Sequence, residues 1–199
     1  MTTLSPKQIE VVRHWLTTYV NRKVNIPAKF IELFSIRKLS KGELYLTDGE
    51  TWNTFAIIAK GLFRLYYIDE AGNEHTKGFF TEGQILAPHV PSAVDTAVNF
   101  YIDSFEPSEV LSADYWKIRE HLDSRDWGKS IRISMLENLL EEKIEREYCW
   151  LMLDAETRYL RFIENHPDIA KRLPLYIIAN YLGMTDVTLS RIRKKIKLS

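Results

Sequence analysis

The twenty residues from Leu175 to Lys194 constrain the fold more than any other part of this sequence. Ala179 is small enough to let a second helix cross the first closely, and Gly183, four residues later, suits the end of that first helix. Glycine takes a left-handed conformation there without the clash of a Cβ atom. Thr185 or Asp186 can then cap the second helix by accepting a hydrogen bond from its free backbone amides. The spacing therefore predicts two short helices joined by a tight turn.

The predicted second helix combines an apolar face with a basic end. Four apolar side chains would fix the crossing of the two helices: Ile178, Leu182, Leu189 and Ile192. The chain has 27 basic and 27 acidic residues, yet the stretch from Lys171 to Ser199 has seven basic residues and one acidic residue, Asp186. A local positive excess on a neutral protein is typical of phosphate binding. The segment predicts a helix-turn-helix, which places its second helix in the major groove of DNA. The alternative is a helical hairpin with a purely structural role.

Between Ile36 and about Leu111 the sequence changes to short β-rich runs separated by glycines. Residues 62–68 alternate between two faces, as a strand does. The turn signal from Asp69 to Asn73 precedes another strand near His75 to Phe80. Several short strands at this spacing indicate an antiparallel sandwich or roll rather than a parallel sheet.

Helical spacing of apolar residues recurs on both sides of the β-rich region. It predicts helices at Ser5 to about Asn21, Ala28 to Phe34, Ser112 to about Leu122, Ser124 to Leu153 and Ala155 to Asn165. The residues from Asp168 to Leu173 are expected to be a connection to the helix-turn-helix, with Pro174 in its first turn.

The long helix predicted at 124–153 carries an apolar stripe, formed by Ile133, Leu136, Leu140, Ile144, Tyr148 and Leu151. Its other faces are charged. A helix of about 30 residues spans about 45 Å, which exceeds what a small domain requires. The stripe indicates packing against a symmetry mate; the alternative is packing against the β-rich region.

Cysteine content and hydropathy exclude several classes of protein. Cys149 is the single cysteine, so no disulfide can form within the chain, and four thiolates of one chain cannot hold an iron–sulfur cluster. Its apolar neighbours favour a packing role over a redox switch. The amino terminus lacks a basic segment followed by an apolar stretch, and no apolar run approaches the length of a membrane span. The sequence therefore predicts a cytoplasmic protein.

The order of these elements resembles that of the Crp/Fnr family of bacterial transcription regulators. The matching stretches are Lys41-Gly42-Glu43, Asp48-Gly49-Glu50, Ile57 to Tyr66 around the Lys60-Gly61 turn, Asp69 to Glu74, and Thr188 to Arg193. The resemblance extends from about Phe34 to Lys197, and its C-terminal stretch is the most specific. It implies an α+β fold with an antiparallel, cyclic-nucleotide-binding-like β-roll (a double-stranded β-helix), a long dimerisation helix and a C-terminal helix-turn-helix.

The resemblance also implies a division of the chain into three parts. Residues 1–123 would form the N-terminal helices and β-roll sensor domain, 124–153 the dimerisation helix, and 154–199 the DNA-binding domain. A homodimer joined through 124–153 would bind a two-fold operator in double-stranded DNA, with half-sites about 34 Å apart. RNA polymerase is a further partner that the family suggests, and the sequence names no effector.

DNA contacts are implied in the second helix of the helix-turn-helix. Arg191 is the candidate for base reading, because its planar fork can bond O6 and N7 of one guanine; a phosphate contact is the alternative. The basic side chains of Arg193, Lys194 and Lys195 would neutralise phosphates, which gives affinity but little sequence choice. The complete set of candidate DNA-binding residues is Thr185, Asp186, Val187, Thr188, Ser190, Arg191, Arg193, Lys194 and Lys195.

The sequence departs from the family pattern in two places. Members that bind cyclic nucleotides hold the phosphate with a Gly-Glu pair and a Pro-Arg step. Here Gln84 stands in place of the glutamate, and no arginine follows Pro88 or Pro91. A buried phosphate without a guanidinium partner is costly, so no tight cyclic nucleotide binding is expected, and His89 is only a partial substitute. The sequence ends at Ser199, so the β-hairpin wing after the recognition helix is expected to be reduced or absent.

Two other functions compete with this interpretation. A double-sheet fold can host a metal-dependent enzyme. However, His75 and His89 lie far apart, and Glu74 and Glu82 are expected to be turn or surface residues. No catalytic residue, metal ligand or cofactor is therefore predicted. The other alternative is an effector-binding or protein-interaction module on the β-roll that has lost specific DNA binding.

Overall fold

The computed structural model describes residues 4–20 and 26–198, and its first helix, α1, spans Pro6–Val20. The Ser5 hydroxyl accepts a hydrogen bond from the Gln8 amide at 3.4 Å, and Gln8 Oε1 accepts one from the Ser5 amide at 2.8 Å. This reciprocal pair is a capping box, which explains why the helix begins here. The predicted helix end near Asn21 lies outside the described residues. A second helix, α2, spans Ala28–Ile31 and is shorter than predicted.

Two four-stranded antiparallel sheets form the middle of the described chain. Their strands are β1 (Ser35–Leu39), β2 (Leu44–Leu46), β3 (Thr54–Lys60), β4 (Phe63–Ile68), β5 (Glu74–Phe80), β6 (Ile85–Leu86), β7 (Tyr101–Ser104) and β8 (Ser108–Asp114). The first sheet has the order β1-β8-β3-β6 and the second has the order β2-β7-β4-β5. The predicted antiparallel roll is confirmed.

The first sheet is buried on both of its faces. Along β3, Ala56 and Ile58 belong to the core between the two sheets, whereas Phe55 and Ile57 belong to a second core that includes residues of α1. Trp15 of α1 packs edge-on against Phe55, with ring centroids 5.2 Å apart. The sheet therefore separates a roll interior, filled by its own apolar side chains, from a helical layer.

Six α-helices follow β8 in the described residues. They are α3 (Tyr115–Asp123), α4 (Asp126–Met152), α5 (Ala155–Asn165), α6 (Pro167–Arg172), α7 (Leu175–Tyr181) and α8 (Asp186–Leu198). The long helix and the α5 helix lie where the sequence predicts them. Helix α8 continues to Leu198, so the residues after Arg193 extend this helix instead of starting a strand.

Two predicted boundaries are wrong. Ser112 and Ala113 belong to β8, where they pair with β3, so the helix begins only after Asp114. The Asp114 carboxylate caps α3 by accepting a hydrogen bond from the Lys117 amide at 2.9 Å. The expected connection from Asp168 to Leu173 is mostly helical, because Pro167 both ends α5 and occupies the first turn of α6.

The apolar stripe of α4 is exposed in the described chain. Its six side chains are between 41% and 74% exposed: Ile133, Leu136, Leu140, Ile144, Tyr148 and Leu151. Near its start, Ile131 is fully buried against the helical layer of the roll. The alternative that the stripe packs on the β-rich region is therefore wrong.

Candidate DNA-binding surface

Helix α7 ends at the turn that the sequence predicts. Gly183 has a φ of +64°, and its amide donates to the Asn180 carbonyl at 3.1 Å. The next amide, of Met184, donates to the Ala179 carbonyl at 3.0 Å. These two bonds form a Schellman motif, which satisfies the last carbonyls of a helix and requires the left-handed residue.

The inward faces of α7 and α8 share one core. Ala179 is 1% exposed, as the close crossing requires, and the four predicted apolar contacts are buried with it: Ile178, Leu182, Leu189 and Ile192. Leu62, from the turn between β3 and β4, is completely buried in the same core. The two helices therefore pack against both each other and the roll.

Thr185 is the residue that caps α8. Its hydroxyl accepts a hydrogen bond from the Thr188 amide at 3.1 Å and lies 2.9 Å from the Thr188 hydroxyl. Asp186 occupies the first helical position, where its carboxylate interacts favourably with the positive end of the helix. Of the two capping residues that the sequence allows, Thr185 is the one that caps α8 in the structure.

The outward face of α8 is exposed over its whole described length. Val187, Ser190, Arg191 and Lys194 are exposed and have the i, i+3, i+4, i+7 spacing of one helix face. Thr188 and Arg193 lie at its sides and are half-buried. This face lies opposite the buried Leu189 and Ile192, as a groove-binding helix requires.

The basic side chains of α8 differ in what they contact. Lys195 Nζ lies 2.6 Å from Glu156 Oε2 of α5, and this pairing raises the pKa of Lys195. Arg191, Arg193 and Lys194 form no ion pair with any side chain at positions 4–19 or 26–196. Among the described side chains of α8, the cationic charge available to a ligand is therefore concentrated on these three residues.

Arg172 is held by the roll rather than by the helix-turn-helix. Its guanidinium lies 3.0 Å from a Glu82 carboxylate oxygen and 2.6 Å from a Glu106 carboxylate oxygen. Glu82 also accepts a hydrogen bond from the Gly61 amide at 2.7 Å. Arg172 contributes to the basic excess in the sequence, but two carboxylates neutralise its charge. This neutralisation could not be predicted from the sequence, since the two carboxylates come from distant segments.

The edge of β5 receives side chains from two helices. Asn180 of α7 accepts a hydrogen bond from the Thr76 amide at 2.7 Å and donates one to the Glu74 carbonyl at 2.7 Å. Arg146 of α4 donates to the Thr76 carbonyl at 3.1 Å, and its guanidinium lies over the Tyr181 ring. These contacts, which sequence analysis missed, fix the helix-turn-helix against the roll.

The end of α4 also contacts the turn of the helix-turn-helix. A Cβ atom on Gly183 would lie 2.4 Å from Cη2 of Trp150, so the indole occupies the space that a side chain would need. Arg158 donates to the Leu153 carbonyl at 2.9 Å and to the Leu182 carbonyl at 3.1 Å. The turn between α7 and α8 therefore contacts both the end of α4, through Trp150, and the start of α5, through Arg158.

Three of the four residues considered for a metal site have other partners. His75 pairs with Asp69 at 2.8 Å, Glu74 with Arg64 at 2.6 Å, and Glu82 with Arg172. No group of three or more metal-ligating side chains converges in residues 4–20 and 26–198. Over the same residues, no helix is both long and apolar enough to cross a membrane.

Cys149 lies in an environment that disfavours its thiolate. Burial and the neighbouring Glu145 raise the pKa of the thiol, and the sulfur donates to Glu145 Oε1 at 3.4 Å. A thiol that stays protonated is a poor nucleophile. This environment supports packing over redox switching.

The arrangement of roll, long helix and helix-turn-helix matches solved structures. FixK2 from Bradyrhizobium japonicum superimposes with a TM-score of 0.73 at 14% sequence identity, over 83% of this chain and 85% of that one. A CooA mutant from Carboxydothermus hydrogenoformans gives 0.71 at 18% identity, over 87% and 81%. A protein from Eubacterium rectale, described as a transcriptional regulator of the Crp/Fnr family, gives 0.67 at 11% identity, over 87% and 84%.

These matches define the class of fold. No protein-family model and no curated protein matches the sequence. The structural matches nevertheless cover more than four fifths of this chain and of the three proteins named above. The chain has the fold of Crp/Fnr regulators, as its sequence motifs predict.

Proposed function

We propose that this chain is a DNA-binding transcription regulator of the Crp/Fnr type, and not an enzyme. The proposal rests on the outward face of α8, where Arg191 and Lys194 are exposed and pair with no described carboxylate. The opposite face of the same helix packs into the apolar core that α7 and α8 share. Such a helix can enter a groove without disturbing the fold that carries it.

We also propose that the chain acts as a homodimer joined through α4. Leu140 and Ile144 are each 58% exposed, and Leu151 is 74% exposed, on a helix about 40 Å long. A continuous apolar stripe of this length indicates a partner surface. A second copy offers the same stripe, so a two-fold axis along α4 would bury both stripes together. The two copies of α8 would then read a two-fold operator.

The candidate residues on α8 would have distinct roles. Arg191 would read a base, whereas Arg193 and Lys194 would contact phosphates. Lys195 would have to leave Glu156 to contact DNA, so we assign it a smaller contribution. Thr185, Asp186, Val187 and Ser190 are exposed and Thr188 is half-buried. At the start of a recognition helix, these five residues would face the bases.

Cyclic nucleotides are not expected to control this binding tightly. Gln84 is exposed, and its side chain accepts a hydrogen bond from the Thr81 amide at 2.8 Å. The segment from Gly83 to Ala93 contains no arginine to hold a phosphate. We therefore propose either a different effector or none.

Salt dependence of DNA binding tests the proposed function. Fluorescence anisotropy with mixed-sequence duplexes at about 50 and 200 mM salt should show affinity falling by a factor of about 10³ or more, because each phosphate contact releases counterions. Binding that is near zero at both salt concentrations would favour an interaction module on the roll that has lost DNA binding.

Two variants separate the proposed roles, with Lys41→Ala on an exposed roll loop as the control. Lys194→Ala should weaken binding to all sequences and reduce the salt slope by about one. Arg191→Ala should cost about 1–3 kcal/mol on a preferred sequence and little on a random one. Equal losses for both variants on all sequences would make Arg191 a phosphate contact.

A further inference from the structure

A cavity of about 100 Å³ lies outside the roll interior, in the helical layer of the protein. Loop residues 88–91, helix α3, residues 132–136 of α4 and Phe55 of β3 line it, and it is partly open to solvent. Its apolar lining includes Tyr115, Ile118, Leu122 and Met135. Phe55, Ile118 and Leu122 belong to the helical-layer core, so this cavity is separate from the space between the two sheets.

His89 supplies an unsatisfied polar group in the wall of this cavity. Its Nδ1 atom is buried and has no hydrogen-bond partner among the described residues. Burial, together with Lys77 and Lys143, lowers the pKa of the imidazole and so favours its neutral form. Buried polar atoms in native proteins nearly always have a partner. A ligand atom in the cavity would provide one.

Charge around the cavity favours an anion. Arg119 and Arg132 both line it, and both pair with the same carboxylate, that of Asp123. Two guanidiniums with one carboxylate leave one positive charge uncompensated. Lys77 and Lys143 add to the positive potential at His89. A carboxylate at this position would be partnered rather than isolated, as burial of charge requires.

We propose that this cavity binds a small carboxylic acid with an apolar body, about the size of one aromatic ring. The apolar body would contact Ile118, Leu122 and Met135, while the carboxylate would meet His89 and the Arg119–Arg132 pair. An apolar cavity of about 150 Å³ holds benzene, so the cavity of about 100 Å³ here limits the apolar body to one ring and leaves the acid group at the open side.

The position of the cavity also connects it to the proposed dimer. Met135 and Leu136 of α4 line it, and Leu136 belongs to the exposed stripe. A bound ligand would therefore restrain the start of α4 next to the surface that we assign to the second copy. This coupling rests on the proposed function, whereas binding of the ligand itself does not.

Titration calorimetry of the full chain with benzoate tests the binding site. We expect one benzoate per chain with a submillimolar Kd, at least tenfold tighter than for benzamide, its neutral isostere. His89→Leu should weaken benzoate binding at least tenfold. Met135→Trp, which narrows the cavity without removing a charge, should do the same. Thermal unfolding of both variants checks that they are folded.

Amide chemical shifts locate the bound benzoate. Shifts centred on residues 88–91, α3 and the start of α4 support the proposal. Shifts centred on α8, or equal affinity for benzoate and benzamide, overturn it, as does the absence of binding at about 10 mM. DNA binding by the unliganded chain is a separate readout. A chain that binds DNA but not benzoate disproves only the cavity site, and the reverse result disproves only the proposed function.

Discussion

The side-chain amide of Asn180 satisfies the backbone amide of Thr76 at the outer edge of β5. It accepts from the Thr76 amide and donates to the Glu74 carbonyl, both at 2.7 Å, as a neighbouring strand would. Asn180 lies on the first helix of the helix-turn-helix, whereas Thr76 lies in the roll. One side chain therefore blocks an exposed strand edge and fixes the position of the DNA-binding helices.

Replacing Asn180 by alanine should lower the free energy of unfolding by about 1–3 kcal/mol. The change leaves the amide of Thr76, a residue that is 4% exposed, without its acceptor. Urea denaturation gives the measurement. The control is Asn165→Ala, the same substitution at the exposed end of α5, which should change stability by less than about 0.5 kcal/mol. Equal effects of the two variants would show that the β5 contact contributes nothing.

Replacing Gly183 by alanine should destabilise the chain by about 1 kcal/mol. The left-handed backbone at +64° is unfavourable for any residue with a Cβ, and the new methyl group would displace the exposed indole of Trp150. Gly183→Asn should lose less stability through backbone strain than Gly183→Ala, because asparagine tolerates this conformation. Thermal unfolding of both variants and of Trp150→Ala/Gly183→Ala separates the two causes. If alanine proved neutral, the turn would not require glycine.

The pairing of Glu82 with Arg172 should make stability depend on pH. Burial opposes ionisation of Glu82, but hydrogen bonds from Arg172 and the Gly61 amide outweigh it and lower the pKa of the carboxyl. The stabilisation by ionised Glu82 should be complete above the ordinary carboxyl pKa of about 4.3. It should be lost as pH falls through the lower pKa that Glu82 has in the folded state. The difference in unfolding free energy between wild type and Glu82→Gln should shrink between about pH 6 and pH 3. Glu164→Gln, at an exposed position, is the control, and a difference that grows in acid contradicts the assignment.

Introducing a charge into the α4 stripe should dissociate the proposed dimer. Leu140→Glu would place two like charges across the two-fold axis, raising the dimer dissociation constant about 100-fold or more. Because Leu140 is 58% exposed in the single chain, the variant should still fold. Sedimentation velocity over a range of concentrations gives the measurement, with Glu141→Gln beside the stripe as the control. An unchanged oligomeric state would assign the stripe to another partner.

The fold could be predicted where local patterns determine it. Helical periodicity marks α4 and α5, and the Ala179–Gly183 spacing marks the helix-turn-helix, because these features depend on neighbours within a few turns. Ser112 and Ala113 were predicted incorrectly, since their strand conformation depends on pairing with β3, more than fifty positions earlier in the chain. Tertiary pairing overrides local propensity at such places.

The exposed DNA-binding face could be predicted from the sequence more fully than the contacts that hold it in position. The exposed face of α8 follows directly from helix spacing, as Arg191 and Lys194 illustrate. The partners of Arg172 could not be predicted, because Glu82 and Glu106 lie 90 and 66 positions away. The unsatisfied His89 also has no local signal, since an isolated histidine shows its environment only after the chain has folded.

Selection of bound duplexes from a random pool is the sharpest test of whether a dimer of this chain reads DNA through α8. We expect enrichment of a two-fold symmetric sequence whose half-sites are about 34 Å apart, which requires both a dimer and base reading by α8. The same selection with Arg191→Ala should lose preference at one position in each half-site. Recovery of sequences with no symmetry and no consensus would contradict the account.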